Sequence, residues 1–155
     1  MSSTIPDSES LARLKELLLQ NDALENRLAE SALLIAQAGN PDIDVSAYLR
    51  QIDDWANYVR SRFDPQSADA AERIEHLNRF LFDELGFAGN GDEYYDPRNS
   101  FLSSVMDRRR GIPITLSILY IEIGRRLGLP LQGVSFPGHF LVILPVSHGA
   151  VVLDP

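Results

Sequence analysis

Apolar residues recur at helical spacing through the first half of the chain. Leu11, Leu14, Leu17 and Leu18 form a stripe between Ser8 and about Gln20, with Arg13, Lys15 and Glu16 facing away from it. That period predicts an amphipathic helix. Leu24, Leu28, Ser31, Ala32 and Ile35 mark a second helix, ending at Gly39-Asn40-Pro41, where glycine can take the left-handed cap and proline cannot continue the ladder. A third is expected from Val45 to Arg62, capped by the Asp44 carboxylate, with Tyr48, Ile52, Trp55 and Val59 turned inward. A fourth runs from about Ala68 to Leu85, with Ile74, Leu77, Phe80, Leu81 and Leu85 inward and Gly86 as its stop. Tyr48, Trp55, Phe80 and Phe82 are read as core aromatics.

The second half changes period. Phe87 to Ser100 is rich in glycine, asparagine and Asp-Pro signals and reads as an ordered loop. Ser100 can cap a short helix to about Arg109, and Gly111 breaks it. From Ile112 to Leu127 the chain is apolar nearly all round, with Pro113 in the first turn and Gly128 at the exit. Such a helix belongs in the middle of a domain. Three short extended pieces follow, Leu131 to Ser135, His139 to Leu144 and Ala150 to Leu153, with Pro145 to Gly149 as a hairpin connection. The fold class expected is α+β in one domain, residues 1–155: a helical N-terminal part over 8–86, then a core over about 87–155 in which a central helix packs on a small antiparallel sheet.

Composition narrows the function. At 155 residues and 45% apolar content the chain can bury a substantial core. With 22 acidic against 14 basic side chains and a net charge of -8, its field repels phosphate backbones and anionic membranes. Neither nucleic acid nor membrane is an expected partner. Without a bilayer-length apolar run or a basic, apolar leader at the N-terminus, the protein reads as cytoplasmic. It has no cysteine, which rules out disulfides, thiolate metal sites and thiol nucleophiles. The chain stops at Pro155 directly after a strand, so a fragment of a longer protein is expected.

Four joined motifs carry a family likeness. Tyr94-Tyr95-Asp96-Pro97-Arg98-Asn99-Ser100, Arg109-Arg110-Gly111-Ile112-Pro113-Ile114-Thr115-Leu116-Ser117, Arg126-Leu127-Gly128-Leu129-Pro130 and Phe136-Pro137-Gly138-His139-Phe140-Leu141-Val142 resemble the SirB-type bacterial proteins of the transglutaminase-like superfamily. The resemblance covers roughly Leu77 to Pro155 and implies a tetratricopeptide-type helical region after the core. It also places His139 at the superfamily histidine, Asp154 at the superfamily aspartate and Pro113, counted back from Gly128, at the nucleophilic cysteine. Proline has no nucleophile, and losing one costs several orders of magnitude in rate even where the rest of a triad stands. The expectation is a non-catalytic module for protein interaction or regulation, with a protein or peptide partner, no cofactor and no metal.

The rival expectation is a residual hydrolase or acyltransferase in which His139 activates Ser117, one turn beyond Pro113, or Thr115 in an exposed first turn. A serine one turn into a buried helix more often bonds its own helix carbonyl. Tyr94, Tyr95, Asp96, Arg98, Asn99, Arg110, Thr115 and Ser117 are the expected cleft-lining residues. The cluster Asp92, Glu93, Asp96 lacks EF-hand spacing and reads as turn chemistry, with Asp96 paired to Arg98. Arg108-Arg109-Arg110 reads as helix C-terminal charge neutralised by nearby acids. Glu122, a carboxylate inside an apolar helix, requires an arginine or backbone donor.

Overall fold

The computed structural model describes residues 28–91, 96–136, 139–146 and 149–153. The expected helix at Ser8 to Gln20 lies outside them. Helix α1, Leu28–Gly39, buries Leu28, Ala29, Ala32, Leu33 and Ala36 and ends where the glycine signal put its stop. Helix α2, Val45–Arg60, begins at Asp44, whose side chain accepts from the Ala47 amide at 3.1 Å. Helix α3, Ala70–Asn78, is capped in the same way by Asp69, through the Glu72 amide.

The fourth helix expected from sequence is not regular. From Arg79 to Glu84 it widens into a π-helical turn, in which the Leu85 amide bonds the Phe80 carbonyl. The wider turn keeps Phe80 and Leu81 buried together. A periodic stripe does not reveal it, because one π-turn shifts the register by a single residue.

The loop that follows carries structure the sequence did not show. Residues Ala88–Gly89 (β1) pair in parallel with Arg110–Gly111 (β2). Between them lie a 3-10 turn, Pro97–Ser100, and helix α4, Leu102–Arg108. The N-cap of α4 is Phe101, not Ser100, because Ser100 is still inside the 3-10 turn.

Helix α5, Pro113–Arg126, is the spine of the domain. Its residues from Ile114 to Gly124 are all buried, and each isoleucine so enclosed contributes about 1.5–3 kcal/mol of apolar burial. On one side it meets α1, α2, α3 and α4; on another it packs against strands β3, Gln132–Phe136, and β4, His139–Val146. Strand β5, Gly149–Leu153, completes an antiparallel sheet of order β3-β4-β5. The hairpin is tighter than expected: Pro145 pairs with Ala150 and Val146 with Gly149, so both belong to the strand. The α+β architecture, a central buried helix on a small antiparallel sheet, is the one expected.

The exit from α5 favours glycine at Gly128. Its φ is +84°, and a Cβ there would stand 2.5 Å from Arg73 Nη1, the atom that donates to the Leu127 carbonyl at 2.7 Å.

Candidate functional site

The start of α5 is assembled from three segments. Ile112 is extended (φ -104°, ψ 165°), and Pro113 is the first helical residue, where its missing amide hydrogen costs the helix nothing. The Thr115 hydroxyl accepts from the Ile112 amide at 3.2 Å and donates to the Asn99 carbonyl at 2.8 Å, with the Ile112 carbonyl at 3.1 Å competing. Asn99 is buried in the 3-10 turn, and its side-chain oxygen accepts from Asn90 Nδ2 at 2.9 Å. The Asn90 amide in turn donates to the Gly111 carbonyl. Gly111 closes the fit, since a Cβ on it would come within 2.9 Å of Thr115 Oγ1 and Val105 Cγ1.

Pro113 itself is exposed. Thr115 and Ser117 are each 0% exposed, which corrects the expectation that Thr115 lies in an open first turn. A three-way hydrogen-bond clamp buries it. Ser117 does not bond its own helix carbonyl either; its Oγ has no hydrogen-bond partner among the described residues. Neither hydroxyl is at the surface that Pro113 occupies.

His139 is the first residue of β4 and stands opposite Phe136. Its side chain, together with Asp154, Tyr94, Tyr95, Asp92 and Glu93, lies outside the described residues, as does the pairing expected between His139 and Asp154. Among the described residues no three histidine, aspartate or glutamate side chains are grouped as a metal site.

Asp96 is gripped by arginine. It accepts from the Arg98 backbone amide at 2.9 Å and from Arg98 Nη2 at 2.6 Å, with Arg108 Nη2 at 3.4 Å. The Arg98 side-chain bonds, then its amide, hold the Asp96 carboxyl well below the usual carboxylate range. The arginine run is only partly neutralised by acids. Arg109 donates to the Leu85 and Met106 carbonyls, and Arg110 to those of Gly86 and Arg109. These two act as stitches between α4 and the end of the π-turn. Arg109 takes a left-handed conformation, φ +62°, which costs a non-glycine residue about 1–2 kcal/mol.

Glu122 has both kinds of partner expected of it. One oxygen accepts from the Ala29 amide in the first turn of α1 at 2.9 Å, and the other takes Arg126 Nη1 at 2.5 Å. Arg126 also reaches Asp53 on α2 at 2.6 Å. Burial opposes the Arg126 charge, but the bonds to Asp53 and Glu122 outweigh it and raise the guanidinium pKa.

Sequence reasoning missed an open pocket of about 390 Å³ between α2 and α4, walled by Tyr48, Gln51, Trp55, Met106, Asp107 and Arg109. Tyr48 is not simply core: its hydroxyl donates to Asp107 Oδ2 at 2.7 Å. The available signal was Gln51, a polar residue set between Tyr48 and Trp55 on the same helix.

The family model described as "Transglutaminase-like superfamily" matches residues 46–155. The chain belongs to the transglutaminase-like superfamily. Among relatives of this superfamily member, a UPF0162 protein of Xylella fastidiosa is 50% identical over 128 residues, 83% of this chain and 45% of that protein. A UPF0162 protein of Vibrio cholerae is 35% identical, over 86% of this chain and 49% of its own length. Human F-box only protein 21 is 37% identical over 153 residues, 85% of this chain and 24% of the human protein. The chain spans about half the length of the bacterial relatives. No solved structure matches it. No helix of the described residues is long and apolar enough to cross a membrane.

Proposed function

We propose that this transglutaminase-like domain is a non-catalytic, SirB-type module that works by binding a protein or peptide partner. One observation carries the reading: the exposed residue at the start of α5, the position to which the family resemblance assigns the nucleophile, is Pro113. The nearest hydroxyls on the helix, Thr115 and Ser117, are fully enclosed. A nucleophile must come within about 3 Å of its substrate, and a fully enclosed hydroxyl is closed to one. The aligned region makes up 45% of one bacterial relative and 24% of the human one, which supports a module used inside proteins of different length. The tetratricopeptide-type tail and a cytoplasmic setting belong to the same proposal; the first rests on the joined motifs, the second on a polar chain with no bilayer-length apolar run.

The test is turnover. The chain, incubated with glutamine-containing peptides plus a primary amine and with activated esters, should give no product above the buffer rate. Product formation that disappears in His139→Ala would overturn this reading in favour of the residual hydrolase.

A further inference from the structure

We propose that the free edge of β5 pairs with β5 of a second copy of this chain, antiparallel and centred on Val151, joining the two sheets into one. This goes beyond the reading of the α5 start and holds whether or not the domain turns over a substrate. In the order β3-β4-β5 the last strand has a neighbour on one side only. Strands β3 and β4 pack on α5, whereas β5 lies at the rim. Leu153 reaches the core, but Val151 and Val152 are 44% and 58% exposed. Successive residues of a strand face opposite sides, so here the sheet is open on both.

The register fixes which groups the edge offers. Val146 and Gly149 flank a two-residue connection, a spacing that makes them a hydrogen-bonded pair. Bonds to β4 then fall at alternate positions, at Gly149, Val151 and Leu153. Pro145, which has no amide hydrogen, sits at a pair that needs none. Ala150 and Val152 therefore turn their amides and carbonyls to the free edge, where no loop or helix backbone among the described residues takes them. Under a two-fold axis at Val151, Ala150 meets Val152 of the second copy and the reverse, with both bonds exchanged at each pair. Val151 meets Val151 of the second copy at the close, unbonded pair, where β-branched side chains support each other. Gly149 falls opposite Leu153, and a Cβ built on Gly149 meets nothing within 4 Å, so the larger side chain has room. Charge selects the same occupant. From His139 to Leu153 the chain has no aspartate, glutamate, lysine or arginine, the residues that keep sheet edges apart. Such an edge offers a charged peptide no anchor, and it is where two copies at -8 meet with least repulsion. The contact is short, below the standard interface of about 800 Å² per partner, so the dimer is a weak one.

Sedimentation velocity of the 155-residue protein should show the average mass rising from one copy toward two between about 10 µM and 1 mM. Added salt should strengthen the dimer, because it screens the repulsion between the copies. Val152→Pro removes an outward amide hydrogen but no bond to β4, and Val151→Lys sets like charges opposite each other. Each should weaken the dimer about tenfold or more. Leu34→Lys, at a comparably exposed apolar residue on α1, should leave it unchanged, and a melting curve checks that each variant folds. The chain has no cysteine, so Val151→Cys tests the register directly. At that pair the two Cα atoms stand about 4.5 Å apart, within disulfide reach, so mild oxidation should crosslink the copies, whereas Leu34→Cys should not crosslink. A single copy at about 1 mM, a dimer that salt dissociates, one that survives both β5 variants, or equal crosslinking at the two positions would overturn the proposal. Turnover assays test the α5 reading separately, so either can fail without the other.

Discussion

Replacing Ser117 by alanine should make the protein more stable, and the sign of that change decides between two accounts of α5. The hydroxyl is 0% exposed and lacks any hydrogen-bond partner among the described residues. Leaving a buried polar group unsatisfied costs about 1–3 kcal/mol, all of which the substitution removes. Alanine is also the better helix former, by up to about 0.5 kcal/mol. Against this stands the loss of one oxygen atom's packing contacts, at about 0.1–0.2 kcal/mol per contact and well under 1 kcal/mol in sum. The expected net is a gain of about 1 kcal/mol, read in urea unfolding as a higher midpoint at unchanged slope. In a thermal scan it corresponds to about 2–4 °C for a chain of this size. A loss of 1 kcal/mol or more would mean that the hydroxyl makes a bond the structure does not contain. Loss of a measurable amide or ester turnover in the same variant would mean that it is a nucleophile. Either result refutes the argument from burial.

Glu122→Ala should cost about 3–5 kcal/mol, because it strips the Ala29 amide of its acceptor and leaves Arg126 with Asp53 and the residue-122 carbonyl in place of two carboxylates. Glu122→Gln keeps an acceptor for that amide and should lose roughly half as much, so equal losses in urea unfolding would contradict the capping role. Gly128→Ala should destabilise by about 1–2 kcal/mol from the positive φ even if Arg73 moves aside without penalty, and a neutral effect in urea unfolding would contradict the left-handed strain. Tyr48 and Tyr120 set an alkaline limit: burial, then the bond to Asp107, pushes Tyr48 up to about 12, and burial pushes Tyr120 to about 12. Both folded values lie above the ordinary ~10, so the neutral form is favoured in the fold; their contribution is complete below about pH 10 and is lost as pH rises from there through 12. The Tyr48→Phe, Tyr120→Phe double variant should flatten that limb of the stability profile, and absorbance at the phenolate band should show a late-ionising fraction in the parent that the double variant lacks.

The elements that could be read in the chain are those whose signal is local. Asp44 and Gly39 bracket their helices because a cap acts on amides and carbonyls within one turn, and the run from Ile114 to Ile123, apolar nearly all round, leaves a helix no solvent face, so it had to be central. The parallel β1–β2 pair was illegible, being two residues on each side joined across 22 positions. No two-residue strand has a period.

The sequence by itself determined that this protein is α+β, that its middle helix is buried, and that a thiol cannot do its chemistry. Those facts follow from residue type and spacing, which every conformation shares. Only the tertiary structure decided that Thr115 is clamped between Ile112 and Asn99, that Ser117 is sealed without a partner among the described residues, and that Glu122 caps a helix 93 residues away. It also joined Tyr48 and Trp55 with Asp107 and Arg109 into one groove. The physical reason is that hydrogen bonds and burial are properties of neighbours in space. The sequence lists candidate donors, acceptors and apolar surfaces, and folding chooses which of them meet.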